Sequence, residues 1–542
     1  MTDWGADVTL NLSPYGVARR LSVKETRDTS TESTTKVSRD RFEYDPANGN
    51  LLRHWMDGDV SSASDDSCQE LTYANAGGRF ASGLVATETT KPACVAGAVV
   101  AARSRTMYDG DLTGTAVPSK GLTTRTSIDT GVVGTAAPSY SLNTTTAYDS
   151  WGRVTSVSEP ATGATTVAYT PAASTTPQLM TSMVTTNSKG HASTVTYSTA
   201  GLDVARQTPS TSVDANGAVA SMVYDPLGRL TNVFLPGSNA PAPGDSVRFY
   251  YSNDATKVPF VKSFRHQANG LWQRSVTTYD GQGREIQTQA GDGTNTNHFT
   301  TRSSYDDRGL VVQTTAPFPA SGPVVGVSGS VNVVPALDAA PANVQNFVTE
   351  YDLLNRPTAS RERLGATVKA STTTEYGSWW TKMTPPARVG VSPLDTPVRR
   401  NVDGKGRLVS LELDRAGAGP LVTSYSYDAA DRLTSFVDPA AKTTSYTIDR
   451  AGRRKTSSDP DAGVSTTTYN TAGLVRSVVN AAGQSVFNEY DSLGRLTKAR
   501  WGSASGPVQS EWTYDDASVA NSKRCHGRLA MRRFTNGPTS AG

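Results

Sequence analysis

The sequence predicts an all-β protein built from tandem β-hairpins. Four similar segments open at Tyr427, Ile448, Tyr469 and Tyr490, a constant spacing of 21 residues. A fixed period of this size indicates one supersecondary unit copied along the chain. The segments between these openings are rich in Thr, Ser, Val, Tyr and Gly, which favours strands and turns. No long helical pattern interrupts them.

The copy that opens at Tyr427 shows what one unit contains. An aromatic-acidic pair ends one strand, a turn follows, and a β-branched stretch makes the next strand. An Asp-Pro turn then leads into a return strand. These five parts lie at 427–428, 429–431, 432–437, 438–441 and 443–448. Each unit is therefore a β-hairpin, and because a lone hairpin is marginal in water it depends on its neighbours.

The last position of the first turn requires a backbone with positive φ. Glycine adopts that conformation at least cost, and Asp431 and Asn355 are the non-glycine residues best able to replace it. The sister copies carry glycine there, at Gly228, Gly283, Gly452 and Gly494.

The repeated side chains have predicted structural roles. The tyrosine supplies an apolar face, the aspartate accepts hydrogen bonds from turn amides, and the arginine pairs with an aspartate of its own or a neighbouring repeat. An exposed pair of that kind contributes only about 0–1 kcal/mol, so repetition has to carry the structure. The residues assigned these roles are Tyr148, Asp149, Gly152, Arg153, Tyr224, Asp225, Gly228, Arg229, Tyr279, Asp280, Gly283, Arg284, Tyr427, Asp428, Arg432, Tyr490, Asp491, Gly494 and Arg495.

The pattern Tyr-Asp-x-x-Gly-Arg-Leu, followed by Asp-Pro-x-x-x-x-Thr-x-Tyr, resembles the YD repeat. That repeat occurs in rearrangement-hotspot (Rhs) proteins, insecticidal toxin-complex B and C subunits, and teneurins. The segments that open at Tyr224 and Tyr490 match it closely. One copy is a weak signal, but a dozen related copies in register are a strong one. The resemblance covers 40–535 and is strongest over 148–310 and 350–500.

The resemblance implies a long antiparallel ribbon that coils into a hollow or partial shell. In such proteins the shell encloses a C-terminal cargo, often a toxin. The expected partner is therefore toxin cargo or a second shell half. The family's core-associated segment, rich in Asp-Pro-x-Gly-Leu, and a following toxin domain are not found in this sequence. We therefore expect a partial member, and no cleavage residue can be assigned by resemblance.

The spacing of the repeat openings divides the chain. We expect a divergent N-terminal β region at 1–127, a YD array at 128–316, a Pro/Ala/Gly-rich insert or loop at 317–345, a second array at 346–535 and a tail at 536–542. The first array is expected to open at Ile128 and Asp129. The insert is the best candidate for a break between two halves.

Composition and charge exclude several classes of protein. The formal net charge is +3, from 52 basic and 49 acidic residues, which gives no case for a nucleic-acid partner. The most apolar stretch, 93–102, is too short to span a bilayer. The N-terminus lacks a visible signal peptide, so a secreted or cell-surface location would imply non-Sec export or a truncated N-terminus. Cys68 and Cys94 could pair in an oxidising compartment, with free buried thiols as the alternative.

The search for catalytic and metal sites returns weak candidates, so we expect no enzyme and no cofactor. The five histidines lack zinc-ligand spacing, and no nucleophile elbow is present. The acidic segment 57–66 could hold Ca²⁺, but it lacks EF-hand spacing and a solvated loop is favoured. Trp379 and Trp380 form the most distinctive aromatic cluster, expected in core packing with ligand contact as the alternative.

Three functions follow from these observations. The first is a non-catalytic structural shell, or shell fragment, of a secreted or contact-dependent polymorphic toxin system. The second is a cell-surface module that binds carbohydrate or a protein receptor through its repeat surface. The third is an all-β enzyme such as a polysaccharide lyase or glycosidase, which would require two carboxylates to converge in one cleft.

Overall fold

The structure is a computed structural model that describes the chain from residue 2 to residue 534 with gaps, the largest at 12–16, 75–82, 237–245, 325–335, 387–395 and 516–528. Side chains are described from Lys36 onward. The predicted tail at 536–542 lies outside the described residues.

Forty-one strands follow one another along the described chain. The first set comprises β1 (Thr2–Trp4), β2 (Val8–Asn11), β3 (Val17–Arg20), β4 (Val23–Thr31), β5 (Thr35–Tyr44), β6 (Leu51–Asp57), β7 (Ser67–Tyr73), β8 (Val85–Lys91), β9 (Ala102–Tyr108), β10 (Thr123–Asp129), β11 (Tyr140–Tyr148), β12 (Val154–Glu159), β13 (Gly163–Thr170) and β14 (Ser182–Thr186). The second set comprises β15 (Ala192–Tyr197), β16 (Pro209–Val213), β17 (Val219–Tyr224), β18 (Leu230–Phe234), β19 (Val247–Tyr251), β20 (Phe260–His266), β21 (Trp272–Tyr279), β22 (Glu285–Gly291), β23 (Asn297–Tyr305), β24 (Val311–Thr315), β25 (Phe318–Ser321), β26 (Gln345–Tyr351), β27 (Pro357–Leu364) and β28 (Thr367–Tyr376). The third set comprises β29 (Trp380–Thr384), β30 (Val398–Val402), β31 (Leu408–Arg415), β32 (Ala418–Tyr427), β33 (Leu433–Val437), β34 (Thr443–Ile448), β35 (Arg454–Asp459), β36 (Gly463–Tyr469), β37 (Val475–Val479), β38 (Ser485–Tyr490), β39 (Leu496–Trp501), β40 (Val508–Tyr514) and β41 (Leu529–Phe534).

These strands form one long antiparallel ribbon, as predicted. Thirty-nine of them belong to a single sheet in which each strand pairs with its neighbours along the chain, while β2 and β3 form a separate hairpin. The sheet does not close on itself. The all-β prediction of tandem hairpins is therefore confirmed.

A β-bulge marks nearly every repeat opening. The register shifts between Ala147 and Tyr148, between Val223 and Tyr224, and again between Ser426 and Tyr427. A three- or four-residue turn with a residue in the left-handed region, followed by a bulge, is a common way to close a hairpin. The bulge also increases local twist, so its repetition bends the ribbon in a regular way.

The ribbon is mostly a single layer with little buried apolar core. Its accessible surface is 30517 Å², against roughly 19,000 Å² for a compact monomer of this length. Most described side chains are half-buried on both faces of the sheet. In a single layer of this kind each hairpin is stabilised by pairing with the adjacent hairpins rather than by a large enclosed core.

One region does contain a core, and it lies where the predicted insert folds back. Strand β23 pairs with β25 through its first residues and with β24 through its last. Val324 of the insert packs with Phe260 and Val276 on one face of β20 and β21. Lys262, also fully buried on β20, has its pKa lowered by burial.

The predicted domain limits stay predictions. Strand β10 pairs with β9 across the limit at 127/128, and β24 pairs with β26 around the insert. The segment 317–345 therefore interrupts the succession of hairpins without interrupting the ladder of hydrogen bonds.

The ribbon has two rims, because antiparallel strands place successive turns at alternate edges. We call the turns that follow the tyrosine openings the tyrosine rim; they include 149–153, 225–229, 280–284, 403–407, 428–432, 449–453, 470–474 and 491–495. The turns at the other edge form the opposite rim; they include 58–66, 92–101, 130–139, 160–162, 187–191 and 438–442.

The ribbon coils back on itself, so that the part around residues 405–492 lies against the part around residues 67–188. We call the earlier part the first turn of the coil and the later part the second turn. The tyrosine rim of the second turn rests on the opposite rim of the first turn. The contacts advance in the same direction on both turns: Lys405 meets Ser67, Arg432 meets Ala101, Arg450 meets Asp129, and Ser492 meets Ser188. The paired residues are 304 to 338 apart in sequence. We call this line of contacts the seam.

The seam corrects one sequence prediction. Ile128 and Asp129 were expected to open a repeat, but the turn that follows them, 130–139, lies on the opposite rim. The isolated β-bridge between Val132 and Asp449 belongs to the seam. Ile128 and Asp129 resemble a repeat opening in sequence. Strand β10, however, ends at the opposite rim, so the turn that follows these two residues lies there.

Candidate functional site

The candidate site is the seam, and its contacts come from the repeat turns. In the turn at 149–153, Asp149 Oδ1 accepts hydrogen bonds from the backbone N–H groups of Trp151 and Arg153, at 3.0 Å each. Asp149 Oδ2 accepts from Arg153 Nε at 2.7 Å. The same arrangement recurs for the pairs Asp225–Arg229, Asp280–Arg284, Asp352–Arg356, Asp403–Arg407, Asp428–Arg432, Asp449–Arg453 and Asp491–Arg495.

The left-handed positions of these turns lie where the sequence predicts them. Gly228 has φ of 79° and Gly283 has φ of 78°. Asn355 and Asp431, the two predicted replacements, have φ of 64° and 60°. The conformation is therefore the same whether or not the residue is glycine.

The tyrosines and arginines link each repeat to the next. Tyr427 Oη donates to the carbonyl oxygen of Leu408 at 2.8 Å, and the guanidinium of Arg407 lies 5.1 Å from the Tyr427 ring centroid. Tyr148 and Tyr490 donate in the same way, to Thr123 and Val475. One arginine thus bonds its own aspartate and stacks on the tyrosine of the following repeat, which is the geometry of a cation–π contact.

Hydrogen bonds in the turns lower the pKa values of Asp280, Asp352 and Asp491. For Asp280 the largest cause is the backbone N–H of Arg284; partial desolvation opposes it, and the guanidinium of Arg284 adds to the lowering of the pKa. Burial alone would raise the pKa of Asp491, but hydrogen bonds from Arg495 and Lys189 lower it to about 2. Each of these carboxylates caps its own turn.

Arg450 makes the most deeply buried contact of the seam. Its Nη1 donates to Asp129 Oδ2 at 2.9 Å and to the carbonyl oxygen of Ala137 at 3.1 Å. Its backbone N–H donates to the carbonyl oxygen of Gly131 at 3.0 Å. The Arg450 and Asp129 side chains are both 0% exposed. Sequence reasoning missed Arg450, since it occupies a variable position of the repeat turn.

Further polar contacts continue the seam on both sides of Arg450. Arg432 donates to the carbonyl oxygen of Ala101 at 3.0 Å. Lys405 Nζ donates to Ser67 Oγ at 2.9 Å, and Lys189 Nζ pairs with Asp491 at 3.0 Å. These partners are charged or polar and only partly exposed, so the seam is a specific polar junction.

Small residues allow the two rims to approach closely. A Cβ on Gly494 would lie 3.1 Å from the carbonyl oxygen of Ala161, and the backbone of Gly404 lies directly against that of Gly58. A side chain at either glycine would push the turns apart.

The acidic segment 57–66 is only in part the solvated loop that the sequence favoured: residues 60–64 are exposed, whereas Asp57 and Asp65 are buried. Asp57 is 8% exposed and Asp65 is 5% exposed, because the second turn covers this loop at Gly58. Asp57 pairs with Arg39 at 2.7 Å and with Arg41 at 3.0 Å. Burial, together with the charges of Asp57 and Asp65, raises the pKa of Asp66.

Cys68 and Cys94 are joined as a disulfide, with Cα atoms 5.4 Å apart. This is one of the two alternatives that the sequence left open. The bridge ties the start of β7 to turn 92–101, and that turn ends at Ala101, which accepts the hydrogen bond from Arg432. The disulfide therefore braces a part of the opposite rim that receives the seam.

A second buried polar cluster holds the insert against the sheet. Asp338 Oδ2 accepts from Gln289 Nε2 at 2.8 Å and contacts His298 Nε2 at 2.7 Å. His298 Nδ1 lies 2.8 Å from the carbonyl oxygen of Gly322. Both ring nitrogens therefore face acceptors. The cluster therefore anchors the insert to strands β22 and β23.

Two further observations concern metals and membranes. Among the described residues, no group of three or more His, Cys, Asp or Glu side chains is placed to hold a metal ion. In the part of the chain that the structure describes, no helix is long and apolar enough to cross a bilayer.

The repeat turns and the coiled ribbon are shared with known proteins. The family model described as RHS Repeat matches residues 427–464, the segment in which the 21-residue spacing is regular. Residues 427–464 therefore match the RHS repeat. The resemblance drawn from the sequence is thereby confirmed. No curated protein sequence matches the chain significantly.

Solved structures share the fold of this chain at low sequence identity. The crystal structure of TcdB2-TccC3 has a TM-score of 0.73 at 14% identity, over 97% of this chain and 33% of that one. TcdB2-TccC3-Cdc42 has a TM-score of 0.72 at 13% identity, over 97% and 35%. The Tc holotoxin pore of Photorhabdus luminescens has a TM-score of 0.71 at 12% identity, over 92% and 33%. The chain thus spans about a third of the length of the chains it matches.

Proposed function

We propose that this chain is a non-catalytic structural segment of a toxin-associated shell and that its coiled ribbon encloses a cargo. The observation that carries the proposal is the seam. A single-layered ribbon encloses a volume only if its successive turns are joined, and the seam joins them through Lys405, Arg432, Arg450 and Ser188. The shared fold with TcdB2-TccC3 supports the same conclusion.

The partner in this proposal is a toxin cargo or a second shell half. The chain corresponds to a third of the matched chains, so further ribbon is needed to complete an enclosure of that size. One matched structure is described as lacking a hypervariable C-terminal region. We therefore place the cargo in a segment that continues the same protein or belongs to its partner. The corresponding location is secreted or extracellular.

The repeat residues have a structural role in this proposal. The aspartate caps the turn, the arginine joins two repeats, and the tyrosine ties adjacent strands. Every carboxylate of the turn type described above is bound by its own turn amides and arginine. A group so engaged is poorly available for acid–base chemistry on a substrate, which supports a role without catalysis.

Small-angle X-ray scattering on the purified chain tests the coiled shape. A solid protein of this length has a radius of gyration of about 24 Å. We expect a clearly larger value and a scattering profile of a hollow or open shell. A value near 24 Å would contradict the proposal.

Enclosure itself is tested by a cargo fused after Gly542. We would append an unfolded reporter with one protease site and follow its cleavage. Partial protection is expected in the parent chain, because further ribbon would be needed to complete the enclosure, and loss of that protection is expected in Arg450→Ala, which breaks the seam. Arg415→Ala is the matched control, since Arg415 is an exposed arginine on strand β31 away from the seam. Equal cleavage in all three proteins would contradict enclosure.

A further inference from the structure

Three arginines lie together on one face of the first turn of the coil, on strands β9 and β10. Arg103 and Arg105 alternate along β9, and Ser127 of β10 lies directly opposite Arg105. Arg125 precedes Ser127 by two residues, so it lies on the same face and diagonal to Arg105. We call Arg103, Arg105 and Arg125 the arginine track. It runs along the strand direction, from the tyrosine-rim end of β10 towards the seam at Asp129.

The carboxylates of the neighbouring strands are engaged elsewhere. The described residues of β8 to β11 include two acidic side chains, Glu88 and Asp129. Glu88 lies on the other face of the sheet, where it accepts a hydrogen bond from a glutamine of β7. Asp129 lies on the same face as the arginine track, but Arg450 and the backbone N–H groups of Gly131 and Ser139 all donate to it. Neither carboxylate is available to neutralise the track.

The arginines present accessible ends on fixed stems. The guanidinium of Arg105 lies 4.4 Å from the ring centroid of Tyr140, and this stacking holds the side chain in place. Among the described residues, the Nε atoms of Arg105 and Arg125 are buried without a hydrogen-bond partner, whereas their terminal Nη atoms are open to solvent. A guanidinium end of this kind binds a carboxylate through two parallel hydrogen bonds.

Several other strand cations in the ribbon have carboxylate partners on the neighbouring strand. Arg41 pairs with Asp57 at 3.0 Å, and Arg500 pairs with Glu489. Adjacent like charges without such partners destabilise a sheet. The arginine track therefore points to an anion that comes from outside these strands.

A cleft of about 810 Å³ opens at the rim end of the track. Arg125 and Thr145, paired on neighbouring strands, line it from the sheet, and Lys120 lines it from the loop after β9. Asp109 and Asp149 also line the cleft, but backbone N–H groups of their own turns donate to both carboxylates. Lys120 and Arg125 are the charges that this cleft offers to a ligand.

The spacing of the cations favours an extended peptide. Alternate residues of a strand lie about 6.6 Å apart, and diagonal neighbours on adjacent strands lie about 7–8 Å apart. Successive members of the track therefore match the interval between alternate side chains of an extended chain. A small inorganic anion uses one or two of these positions, whereas an acidic peptide uses all of them. The ring of Tyr140 is covered by Arg105, which disfavours the stacking of nucleic-acid bases.

We propose that the arginine track binds an acidic, extended segment of the cargo. Carboxylates of alternate residues accept hydrogen bonds from Arg103, Arg105 and Arg125, and a further carboxylate enters the cleft beside Lys120. The source of this segment rests on the proposed function, whereas the site itself is formed whether or not the ribbon encloses a volume.

Fluorescence anisotropy on the intact chain tests the track. The probe is a rhodamine-labelled peptide of alternating Glu and Ser, and the comparison peptides carry Gln or Lys in place of Glu. We expect saturable binding of the Glu peptide alone, and weaker binding as the salt concentration rises, because accessible charges are screened. Arg105→Gln with Arg125→Gln should weaken this binding about tenfold or more. Arg105→Lys with Arg125→Lys should weaken it less, because the charges remain.

Arg415→Gln is the matched control, since Arg415 is an exposed arginine outside the track. It should leave the affinity unchanged. Circular dichroism and thermal unfolding identify any variant that fails to fold, and the lysine variant keeps the test decisive if the glutamine variant does not fold. The proposal is overturned if the Gln peptide binds as tightly as the Glu peptide. It is also overturned if the folded glutamine variant binds as the parent does, or if the lysine variant, where it alone folds, binds no more tightly to the Glu peptide than to the Gln peptide.

Two competitors test the class of ligand at matched ionic strength. Inorganic phosphate should leave the Glu peptide bound, and a single-stranded oligonucleotide should bind more weakly than the peptide. Displacement by phosphate would make the track a small-anion site, and tighter binding of the oligonucleotide would assign it to nucleic acid; either result overturns the proposal. Scattering and reporter protection test enclosure without the track, so a failure of peptide binding leaves the proposed function standing.

Discussion

Arg450 and Asp129 form a buried ion pair at 2.9 Å although they lie 321 residues apart in sequence. Both side chains are completely shielded from solvent. The guanidinium also reaches a backbone carbonyl of the first turn at Ala137. This relationship fixes the register between two turns of a ribbon whose other contacts are almost all between consecutive strands.

Removing one member of this pair should open the seam. Arg450→Ala leaves Asp129 buried without its partner, and an uncompensated buried charge costs about 3–5 kcal/mol. The expected result is a lower midpoint in urea unfolding and a larger radius of gyration by X-ray scattering.

A double variant separates the charge from the packing. Arg450→Met with Asp129→Asn removes both charges, and the asparagine Oδ1 can still accept from the N–H groups of Gly131 and Ser139, so the double variant should recover part of the lost stability. Arg415→Ala serves as the exposed control and should change stability by less than about 0.5 kcal/mol. Equal effects of Arg450→Ala and Arg415→Ala would show that the seam does not hold the turns together.

Two glycines of one turn should respond differently to alanine. Gly283 has φ of 78°, whereas Gly281 has no positive φ, and a Cβ at either position meets nothing within 4 Å. Gly283→Ala should therefore destabilise the chain by about 1–2 kcal/mol through backbone strain alone. Gly281→Ala should be neutral or stabilising by up to about 1 kcal/mol. Thermal unfolding of the two variants checks this, and the reverse order would rule out the left-handed turn.

Acid should weaken the seam at Asp491. Its pKa is lowered from 3.8 to about 2 in the folded chain, so its stabilising contribution is present above 3.8 and is lost as pH falls towards 2. We expect the unfolding temperature of the parent chain to fall over this interval more steeply than that of Asp491→Asn. Parallel pH profiles for the two proteins would show that Asp491 makes no pH-linked contribution to stability.

The disulfide should protect two of the three cysteines from alkylation. Mass spectrometry without reductant should find Cys68 and Cys94 unlabelled, and peptide mapping should join the two. Cys68→Ser with Cys94→Ser should lower the free energy of unfolding by about 2–4 kcal/mol, since the bridge closes a loop of 26 residues. Labelling of all three cysteines would contradict the pairing. Cys525→Ser is the control, because it leaves the bridge intact.

The repeat turn could be predicted almost completely from sequence because its determinants are local. Asp428, Asp431 and Arg432 lie within five residues, and the hydrogen bonds among them follow from their spacing. The bulge at each tyrosine was not predicted. The bulge follows from the left-handed residue that closes each turn. The sequence signal for that residue is the Gly, Asn or Asp at the last turn position.

The seam residues could not be predicted from sequence. Asp129 resembles a repeat opening, yet it is buried against Arg450, 321 positions away. Asp65 resembles part of a solvated loop, yet it is buried beside Gly58, against which the backbone of Gly404 lies. Arg450 occupies a turn position at which sister copies carry Ala429, Ser492 or Pro226, so no periodic signal marks it.

The amino-acid sequence by itself determined the all-β class, the hairpin unit, the left-handed turn positions and the structural character of the Tyr, Asp and Arg ladder. Each of these depends on residues close together in the chain. Only the tertiary structure decided how far the ribbon bends, which rim meets which, where the insert packs, and that Cys68 and Cys94 lie together. The physical reason is that twist accumulates over many bulged strands, so the partners brought together at the seam depend on the sum of many small local angles.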